Sequence, residues 1–450
     1  MKRILYILIG LFGLLLSSCN DSSSSSTTST SSVAKLSAFY FASNDSMPGL
    51  AKAVFTISER LDTGLVTTGK DSMLYGTSLE KVVPKFTFAA TPGAAYLKLP
   101  DTTVQLTGYD TLNFSKLPIY LTIRSSDGTT TKVYDIVPTV HQVDPDLYRW
   151  EILTERIYPE DDSEQRVQEL NGNFVMLKSN GWEIEAFQSP DGAKWTALGE
   201  AQGLPYGTRV RQIISDGSTL YFGQDSALYT STDGVNWAGQ SVSYPILTML
   251  LYWNNEVWAL VDSAGYNLAV WKDGDMQLTD LRPDDGNFPI SDFATVCFNS
   301  ASTRERALII GGFAMNGRSL NARWNLEYSK HTPENNGYRL EEFSIDRPEF
   351  TTLTGVSVIS YNNQLLLFGG VDKDMKYFGR EILISNDEGL TWTAADSTKT
   401  QLPDVYQARQ KQTAIVRDYD IYLFGGQDAT TTYSDVYKGH LNSIDWDQYK

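Results

Sequence analysis

Pairs of acidic residues are the first candidates for chemistry in this sequence. Asp161-Asp162, Asp284-Asp285 and Asp372-Lys373-Asp374 each place two carboxyl groups close together along the chain. Two carboxyl groups roughly 5–10 Å apart across a cleft can hydrolyse a glycosidic bond. Sequence spacing does not give that distance, and acidic residues in loops are usually solvated. These pairs therefore leave glycan chemistry open, and they identify no catalytic residue.

Arginines and aromatic residues near predicted strand ends are the candidates for ligand binding. Arginine forks bind carboxylates, and aromatic faces stack on sugar rings or pack against a protein. The acids that follow double glycines could line a loop pocket, although the pattern predicts no metal ion and no cofactor. The ligand-binding candidates are Arg209, Arg211, Tyr266, Trp271, Arg323, Asp372, Asp374, Arg380 and Arg409.

A short Asp-Gly-Trp motif occurs three times, as SPDGAKW, STDGVNW and, with one extra residue, SNDEGLTW. Its carboxylate can accept hydrogen bonds from backbone amides of its own turn, and its glycine permits a positive φ. Its tryptophan can leave the turn and bury its ring between sheets. We therefore assign the motif to the fold and not to a site. Its residues are Ser189, Asp191, Gly192, Trp195, Ser231, Asp233, Gly234, Trp237, Ser385, Asp387, Gly389 and Trp392.

The composition describes a long, acidic chain. Its 450 residues exceed one ordinary domain, and 54 acidic against 37 basic residues give a net charge of −17. Such a charge argues against a nucleic-acid partner, which would need a basic face. Of the two cysteines, Cys297 lies in the apolar run ATVCF and is predicted to be a small buried residue.

The first residues predict export and a membrane anchor. Lys2 and Arg3 precede an apolar run at 4–16, which is too short to span a bilayer but suits a signal segment. The following Leu-Ser-Ser-Cys resembles the lipobox of bacterial lipoproteins, which implies lipidation of Cys19. Residues 22–32 are all serine or threonine and predict a flexible tether. We expect a signal peptide at 1–18, a lipidated tether at 19–33, and a bilayer contact in the cell envelope, with the outer membrane favoured and its face left open.

Two all-β domains are expected beyond the tether. Residues 34–143 contain alternating or apolar strand patterns at 86–88, 119–123 and 133–137, and no convincing helix. Their length and pattern fit an immunoglobulin-like β-sandwich. From 147 to 450 a short apolar strand ending near glycine recurs six times, and the double glycines at 311, 369 and 425 lie 58 and 56 residues apart. These periods predict a β-propeller of six blades, with seven as the alternative.

Family resemblance supports this architecture. The last repeat contains Ala408-Arg409, the strand TAIV, YLFGG, YSDVY and Trp446, and it resembles a kelch repeat. The Asp-Gly-Trp motif resembles the Asp-box of sialidase-like propellers. The whole chain resembles a lipoprotein family of unknown function with an N-terminal immunoglobulin-like sandwich and a C-terminal kelch-like or galactose-oxidase-like propeller.

The resemblance leaves the activity open. A copper-radical oxidase site needs two histidines and a cross-linked cysteine, but His141 lies in a linker and no cysteine has a matching context. A sialidase needs an arginine triad and usually an early Arg-Ile-Pro motif, which does not precede the first Asp-box. We expect a propeller that binds a glycan or an envelope protein. The alternatives are a glycan-active hydrolase, lyase or epimerase at the propeller mouth, and a structural scaffold of an envelope complex.

Overall fold

The computed structural model describes residues 30–68, 73–108, 110–159, 161, 163–301, 304–331, 337–343 and 353–445. The chain divides into two compact units, Met1–Gln142 and Val143–Lys450. The domains predicted from the sequence are 34–143 and 147–450. Cys19 and most of the predicted tether lie outside the described residues. Within the described part of the chain, no helix has the length and apolar character needed to cross a bilayer.

The described residues of the first unit form two β-sheets and one short helix, α1 (Pro48–Ala51). Strands β1 and β4 pair in one sheet, and the other sheet has the order β2-β3-β8-β7-β5-β6, in which β3 and β8 are parallel. The strands are β1 (Leu36–Phe41), β2 (Thr56–Glu59), β3 (Thr63–Thr67), β4 (Pro84–Phe88), β5 (Ala94–Lys98), β6 (Thr103–Gln105), β7 (Tyr120–Arg124) and β8 (Thr131–Val137).

One hydrophobic core joins the two sheets of this unit. Phe39 and Phe41 from β1 share a buried cluster with Leu121 and Ile123 from β7. Tyr134 adds a polar link, because its hydroxyl accepts the backbone N–H of Leu36 at 2.9 Å and donates to the Glu59 carboxylate at 2.8 Å. The all-β prediction is confirmed for this unit, while its immunoglobulin-like character stays a prediction.

In its described residues, the second unit contains five antiparallel sheets and two short 3-10 helices, Val210–Gln212 and Asn442–Asp445. Four sheets have four strands, β10 to β13, β20 to β23, β24 to β27 and β28-β29-β30-β9, and the fifth has six, β14 to β19. The strands up to β19 are β9 (Tyr148–Thr154), β10 (Glu164–Leu170), β11 (Asn173–Ser179), β12 (Ile184–Ser189), β13 (Thr196–Glu200), β14 (Ile214–Ser215), β15 (Leu220–Ser231), β16 (Ala238–Trp253), β17 (Glu256–Asp262), β18 (Tyr266–Lys272) and β19 (Asp275–Leu278). The others are β20 (Ala294–Ala301), β21 (Arg304–Ile310), β22 (Arg323–Ser329), β23 (Tyr338–Phe343), β24 (Ser357–Tyr361), β25 (Gln364–Phe368), β26 (Ile382–Ser385), β27 (Thr393–Ala394), β28 (Thr413–Arg417), β29 (Asp420–Gln427) and β30 (Thr432–Leu441).

These sheets form a closed ring. The inner strands contact one another in the order β10, β14, β16, β20, β24 and β28, and β10 also contacts β29 of the last sheet. The first strand of the unit, β9, pairs antiparallel with β30 and completes the last sheet. This pairing joins the two ends of the unit, which is how a propeller ring is held shut. The number of blades stays a prediction, because strands β14 to β19 form one continuous sheet.

The Asp-Gly-Trp motif closes tight turns on the ring. In the second copy, Ser231 Oγ accepts the N–H of Gly234 at 2.9 Å and donates to Asp233 Oδ1 at 3.0 Å. The same carboxylate oxygen accepts the N–H of Val235 at 2.8 Å. Gly234 has a φ of +79°, a conformation that costs other residues free energy. Hydrogen bonds of the same kind hold the copies that begin at Ser189 and Ser385.

Each tryptophan of the motif packs against a neighbouring sheet. Trp237 belongs to a buried cluster with Val175 of β11, and Trp392 to one with Leu308 of β21. Trp195 meets Phe424 of β29 with ring centroids 6.0 Å apart. The ring of sheets is thus held together partly by indoles that the turns deliver.

Two further sequence features have a structural outcome in this unit. Gly311 follows β21 with a φ of +66°, and a Cβ atom there would lie 2.1 Å from the carbonyl oxygen of Leu353, so two backbones meet too closely for any side chain. The prediction that Cys297 is buried is wrong, because the residue is exposed. It alternates along β20 with Val296, which is buried, and therefore faces the other side of the sheet.

Candidate functional site

A cavity of about 470 Å³ lies where the inner strands of the ring begin. This volume falls in the range of ordinary small-molecule sites. Residues of β10, β16, β20, β24 and β28 line it, together with the 3-10 helix before β14. We call it the axial cavity. Its charged lining residues are Glu164, Arg166, Arg209, Arg211, Asp292 and Lys411.

Strand and helix geometry place these charges on the cavity wall. Glu164 and Arg166 are two residues apart on β10, so both side chains project from the same face of the strand. Arg211 lies on the 3-10 helix that leads into β14, and Arg209 comes directly before that helix. The remaining two, Asp292 and Lys411, lie in the segments before β20 and β28.

An ion-pair network connects three of the six groups. Arg211 Nε donates to Asp292 Oδ1 at 3.2 Å, and Lys411 Nζ lies 3.8 Å from the other carboxylate oxygen. Arg211 also donates through Nη1 to the backbone carbonyl of Lys411. Because the Arg211 side chain is only 8% exposed, its guanidinium is largely shielded from bulk water, and these bonds hold it in place.

The backbone that carries this network is unusual. Asp292 has a φ of +50° and Lys411 one of +59°, which are left-handed conformations that disfavour residues with a Cβ atom. The N–H of Gly355 donates to the Asp292 carbonyl at 2.8 Å, and the N–H of Lys411 donates to the Gly355 carbonyl at 2.6 Å. These bonds link the starts of β20, β24 and β28. Non-glycine residues in such conformations need supporting contacts, which these hydrogen bonds supply.

The cavity carries unneutralised positive charge. Four cationic side chains face two carboxylates, so its lining has a net charge of +2 when all six groups are ionised. Among the residues that the structure describes, Arg166 Nε has no hydrogen-bond partner. Burial and the neighbouring Arg211 cation lower the pKa of Arg166 to about 9. An anion in the cavity would relieve the repulsion between these cations.

Glu164 is the acidic group of the cavity with an altered proton affinity. Burial raises the pKa of its carboxyl group, although the Arg211 and Lys411 cations act in the opposite direction. A nearby carboxylate, Asp292, raises it further. Glu164 is therefore more readily protonated than an ordinary surface glutamate.

The structure brings two of the predicted ligand-binding residues, Arg209 and Arg211, into the axial cavity. Tyr266 is instead buried in the hydrophobic core that contains Trp258 and Trp324, and its hydroxyl pKa is raised by burial. Trp271 packs against another core cluster. Neither residue lines the axial cavity, and ligand contact at these two aromatic residues stays a prediction.

Two predicted arginines serve the fold. Arg323 is 1% exposed and donates through Nη1 to the carbonyls of Gly389 and Leu390, in the turn of the third Asp-box. Arg409 is also 1% exposed, and it forms a bidentate ion pair with Asp435. Its Cζ atom lies 4.0 Å from the ring centroid of Tyr433. Both guanidinium groups are enclosed by protein, and ligand binding by these two arginines stays a prediction.

The three remaining candidates lie in a separate, smaller depression or beside it. Asp372 Oδ1 accepts the N–H groups of Asp374 and Lys376 at 2.9 and 3.0 Å and so shapes its own loop. Arg380 pairs with Asp404 at 2.5 Å and donates to the Leu402 carbonyl at 2.8 Å. Asp374 is exposed. In the described ranges, no group of three or more His, Cys, Asp or Glu side chains is placed to hold a metal ion.

The acidic pairs singled out in the sequence also have local roles. Asp161 pairs with Lys178 at 2.7 Å, and Asp162 lies outside the described residues. Asp284 accepts the N–H of Gly286, and Asp285 that of Tyr266, both at 2.8 Å. These carboxylates fix turns and strand ends and do not line the axial cavity.

Four cavity residues were not found from the sequence: Glu164, Arg166, Asp292 and Lys411. A signal existed for the first two, since EQRVQEL starts with two charged residues at strand spacing on a strand whose other residues pack. The sequence contains no such signal for Asp292 and Lys411, because loop residues from distant repeats meet only when the ring closes.

Two family models match this chain and agree with this architecture. Residues 144–449 match the family model described as DUF6242 beta propeller domain. Residues 21–137 match the one described as the N-terminal domain of the same family, a domain of unknown function. The solved "Structure of YjhT" is similar at 13% identity with a TM-score of 0.44, covering 62% of this chain and 95% of that chain. No curated protein matches. With a propeller model that spans more than half of its length, the chain belongs to the DUF6242 family.

Proposed function

We propose that the propeller binds an acidic glycan in the axial cavity, and that the chain is an exported lipoprotein of the outer membrane. The observation that carries the binding proposal is the cluster of four cations that faces only two carboxylates in the axial cavity. A protein with a net charge of −17 repels anions over most of its surface. The local charge of +2 therefore makes the axial cavity a place where an anion is attracted.

The chemistry of the lining favours a carboxylate or sulfate on a sugar over an uncharged ligand. Guanidinium groups donate paired hydrogen bonds that match the oxygens of such anions. The remaining lining includes Ser291, Thr295 and Gln212, which can hydrogen-bond sugar hydroxyl groups. The apolar share of the lining, such as Met249 and Phe293, can pack against the carbon face of a ring.

A glycan array tests this proposal. The protein would begin at residue 20, which keeps every residue that the structure describes, and the array would carry carboxylated, sulfated and neutral oligosaccharides. We expect signals for acidic glycans only, with the carboxylated and sulfated arms showing which anion is preferred. Arg209→Gln and Arg211→Gln should each weaken binding roughly 10- to 100-fold, the value of a hydrogen bond to a charged group.

Arg339→Gln is the matched control. Arg339 is an exposed cation on β23 that pairs with Glu341 at 3.0 Å, and it lies outside the cavity lining. The control removes the same charge from the protein and should leave the array signals unchanged. Binding of neutral glycans with equal strength, or equal losses in the control and in Arg209→Gln, would overturn the proposal. Such a result would favour the alternatives, which are an envelope protein as the partner or a purely structural role.

The anchor rests on the sequence alone. The Leu-Ser-Ser-Cys stretch ending at Cys19 follows a signal-like apolar run and precedes a serine- and threonine-rich tether. Acyl chains on one cysteine give firm attachment, since each buried methylene contributes about 0.8 kcal/mol. Cys19→Ala should move the protein from the membrane fraction to the soluble periplasmic fraction, as read by fractionation and immunoblotting. Membrane retention of the variant would refute the anchor. From the strand pattern and the repeat period of the sequence, we also propose that the propeller has six kelch-type blades and that the first unit is immunoglobulin-like.

Glu164 favours a second candidate function, turnover of the bound glycan. A carboxyl group with a raised pKa can donate a proton to a glycosidic oxygen, while a second, ion-paired carboxylate such as Asp292 stays available as base or nucleophile. Glu164→Gln keeps the shape and removes the proton donor. If the protein is an enzyme, this variant should lose product formation in a reducing-end assay while it still binds. Absence of product with the wild-type protein on every bound glycan would exclude this candidate.

A further inference from the structure

Two aromatic side chains stand exposed on one edge of the first propeller sheet. Trp182 is 78% exposed and Tyr206 is 70% exposed, and their ring centroids lie 5.4 Å apart with the ring planes at 58°. Trp182 is in the turn between β11 and β12, and Tyr206 is in the connection between β13 and β14. Folding gains little from either ring, because both remain in water.

Both rings are mounted on fixed turns. Asn180 Oδ1 accepts the N–H groups of Trp182 and Glu183, each at 2.9 Å. On the other side, Thr208 Oγ1 donates to the carbonyl of Pro205 at 2.7 Å, which closes the turn that presents Tyr206. A ligand that stacks here therefore meets a surface that needs little ordering on binding.

The pair lies on the same face of the ring as the axial cavity. Glu164 is opposite Ser179 in the register of β10 and β11. Three further residues reach at most about 11 Å, which places Trp182 within about 16 Å of Glu164 between Cα atoms. Tyr206 is three residues from Arg209, again within about 11 Å. These upper limits on the Cα separations are within the length of a chain of a few sugar rings.

The surroundings of the pair fit a sugar better than a protein. The exposed neighbours of Trp182, which are Asn180, Gly181 and Glu183, are polar or small, and on the Tyr206 side only the partly buried Leu204 and Pro205 are apolar. A pyranose ring has a carbon–hydrogen face that packs on an aromatic ring, and hydroxyl groups at its rim that the neighbouring polar side chains can bind.

We propose that Trp182 and Tyr206 form a second subsite, which stacks on a sugar ring of the glycan whose acidic group enters the axial cavity. The inference rests on the proposed function and extends it, because it makes the ligand an acidic oligosaccharide several residues long and not a single acidic sugar.

Calorimetric titration with galacturonate as the monomer and as the hexamer tests the subsite. Trp182→Ala and Tyr206→Ala should each weaken binding of the hexamer roughly 2- to 10-fold, the range measured for aromatic stacking. Binding of the monomer should not change, because it reaches only the cavity. Tyr419→Ala is the matched control, since Tyr419 is 68% exposed in the turn between β28 and β29, and it should match the wild-type protein with both ligands.

The possible failures are distinct. If Arg209→Gln weakens binding of the hexamer while both aromatic variants behave like wild type, the subsite is wrong and the axial cavity stands. If neutral cellohexaose binds as well as the acidic hexamer and only the aromatic variants lose it, the axial assignment falls. If the wild-type protein binds neither galacturonate nor cellohexaose in this titration, and no sulfated oligosaccharide on the array, both proposals are overturned.

Discussion

Replacing Trp237 by alanine should destabilise the propeller by about 3–5 kcal/mol. The indole is 7% exposed, and its Nε1 donates to the Gly234 carbonyl at 3.1 Å. Burying an aromatic side chain removes about 150–250 Å² from water, which at 25 cal/mol per Å² is about 4–6 kcal/mol and an upper bound. The lost hydrogen bond adds about 1 kcal/mol to the cost, and partial collapse of the space left by the indole reduces it.

Urea unfolding followed by circular dichroism would measure this loss. The two units can unfold in separate transitions, so the shift must be read on the transition that residues of the propeller report. Trp182→Ala is the matched control, because it deletes the same ring at a site that is 78% exposed, and it should change stability by less than about 0.5 kcal/mol. Equal effects of the two substitutions would refute the view that the Asp-box tryptophans hold the sheets together.

Three further predictions concern stability. Partial burial raises the pKa of Asp233, but hydrogen bonds from neighbouring amides outweigh this effect and lower the pKa to about 2. The ionised Asp233 should therefore stabilise the folded state by about 1 kcal/mol after screening, in full above about pH 4 and progressively less toward pH 2. Urea unfolding at several pH values should show this dependence in the wild-type protein and its loss in Asp233→Asn. Arg409→Met should cost about 3–5 kcal/mol because Asp435 is left without its partner, and the added change Asp435→Leu should recover much of that loss. Tyr134→Phe should cost the first unit about 1–3 kcal/mol by leaving the Leu36 N–H unpaired, and thermal unfolding that shows no change would contradict this.

Local patterns were enough to predict the fold class and the Asp-box turns. The strand pattern and the repeat period depend on side chains that alternate or recur within a few residues, and the chemistry of Ser231, Asp233 and Gly234 is contained in one turn. Such features need no knowledge of the rest of the chain, and they appear in the structure with the expected hydrogen bonds.

The site could be predicted only in part, for a physical reason. Arg209 and Arg211 were selected because arginine binds anions, but the same rule also selected Arg323 and Arg409, which the fold uses. The sequence does not show which arginine is covered by a neighbouring sheet. Lys411 reaches the cavity because the ring brings its segment beside residues about 200 positions earlier, as the bond from Arg211 shows.

A crystal structure with the acidic oligosaccharide that gives the strongest array signal would test the central claim most directly. We predict that its carboxylate or sulfate lies in the axial cavity, about 2.7–2.9 Å from nitrogen atoms of Arg166 or Arg211. An acidic group bound elsewhere on the propeller, with the cavity holding only water, would contradict the claim that this cluster of cations is the binding site.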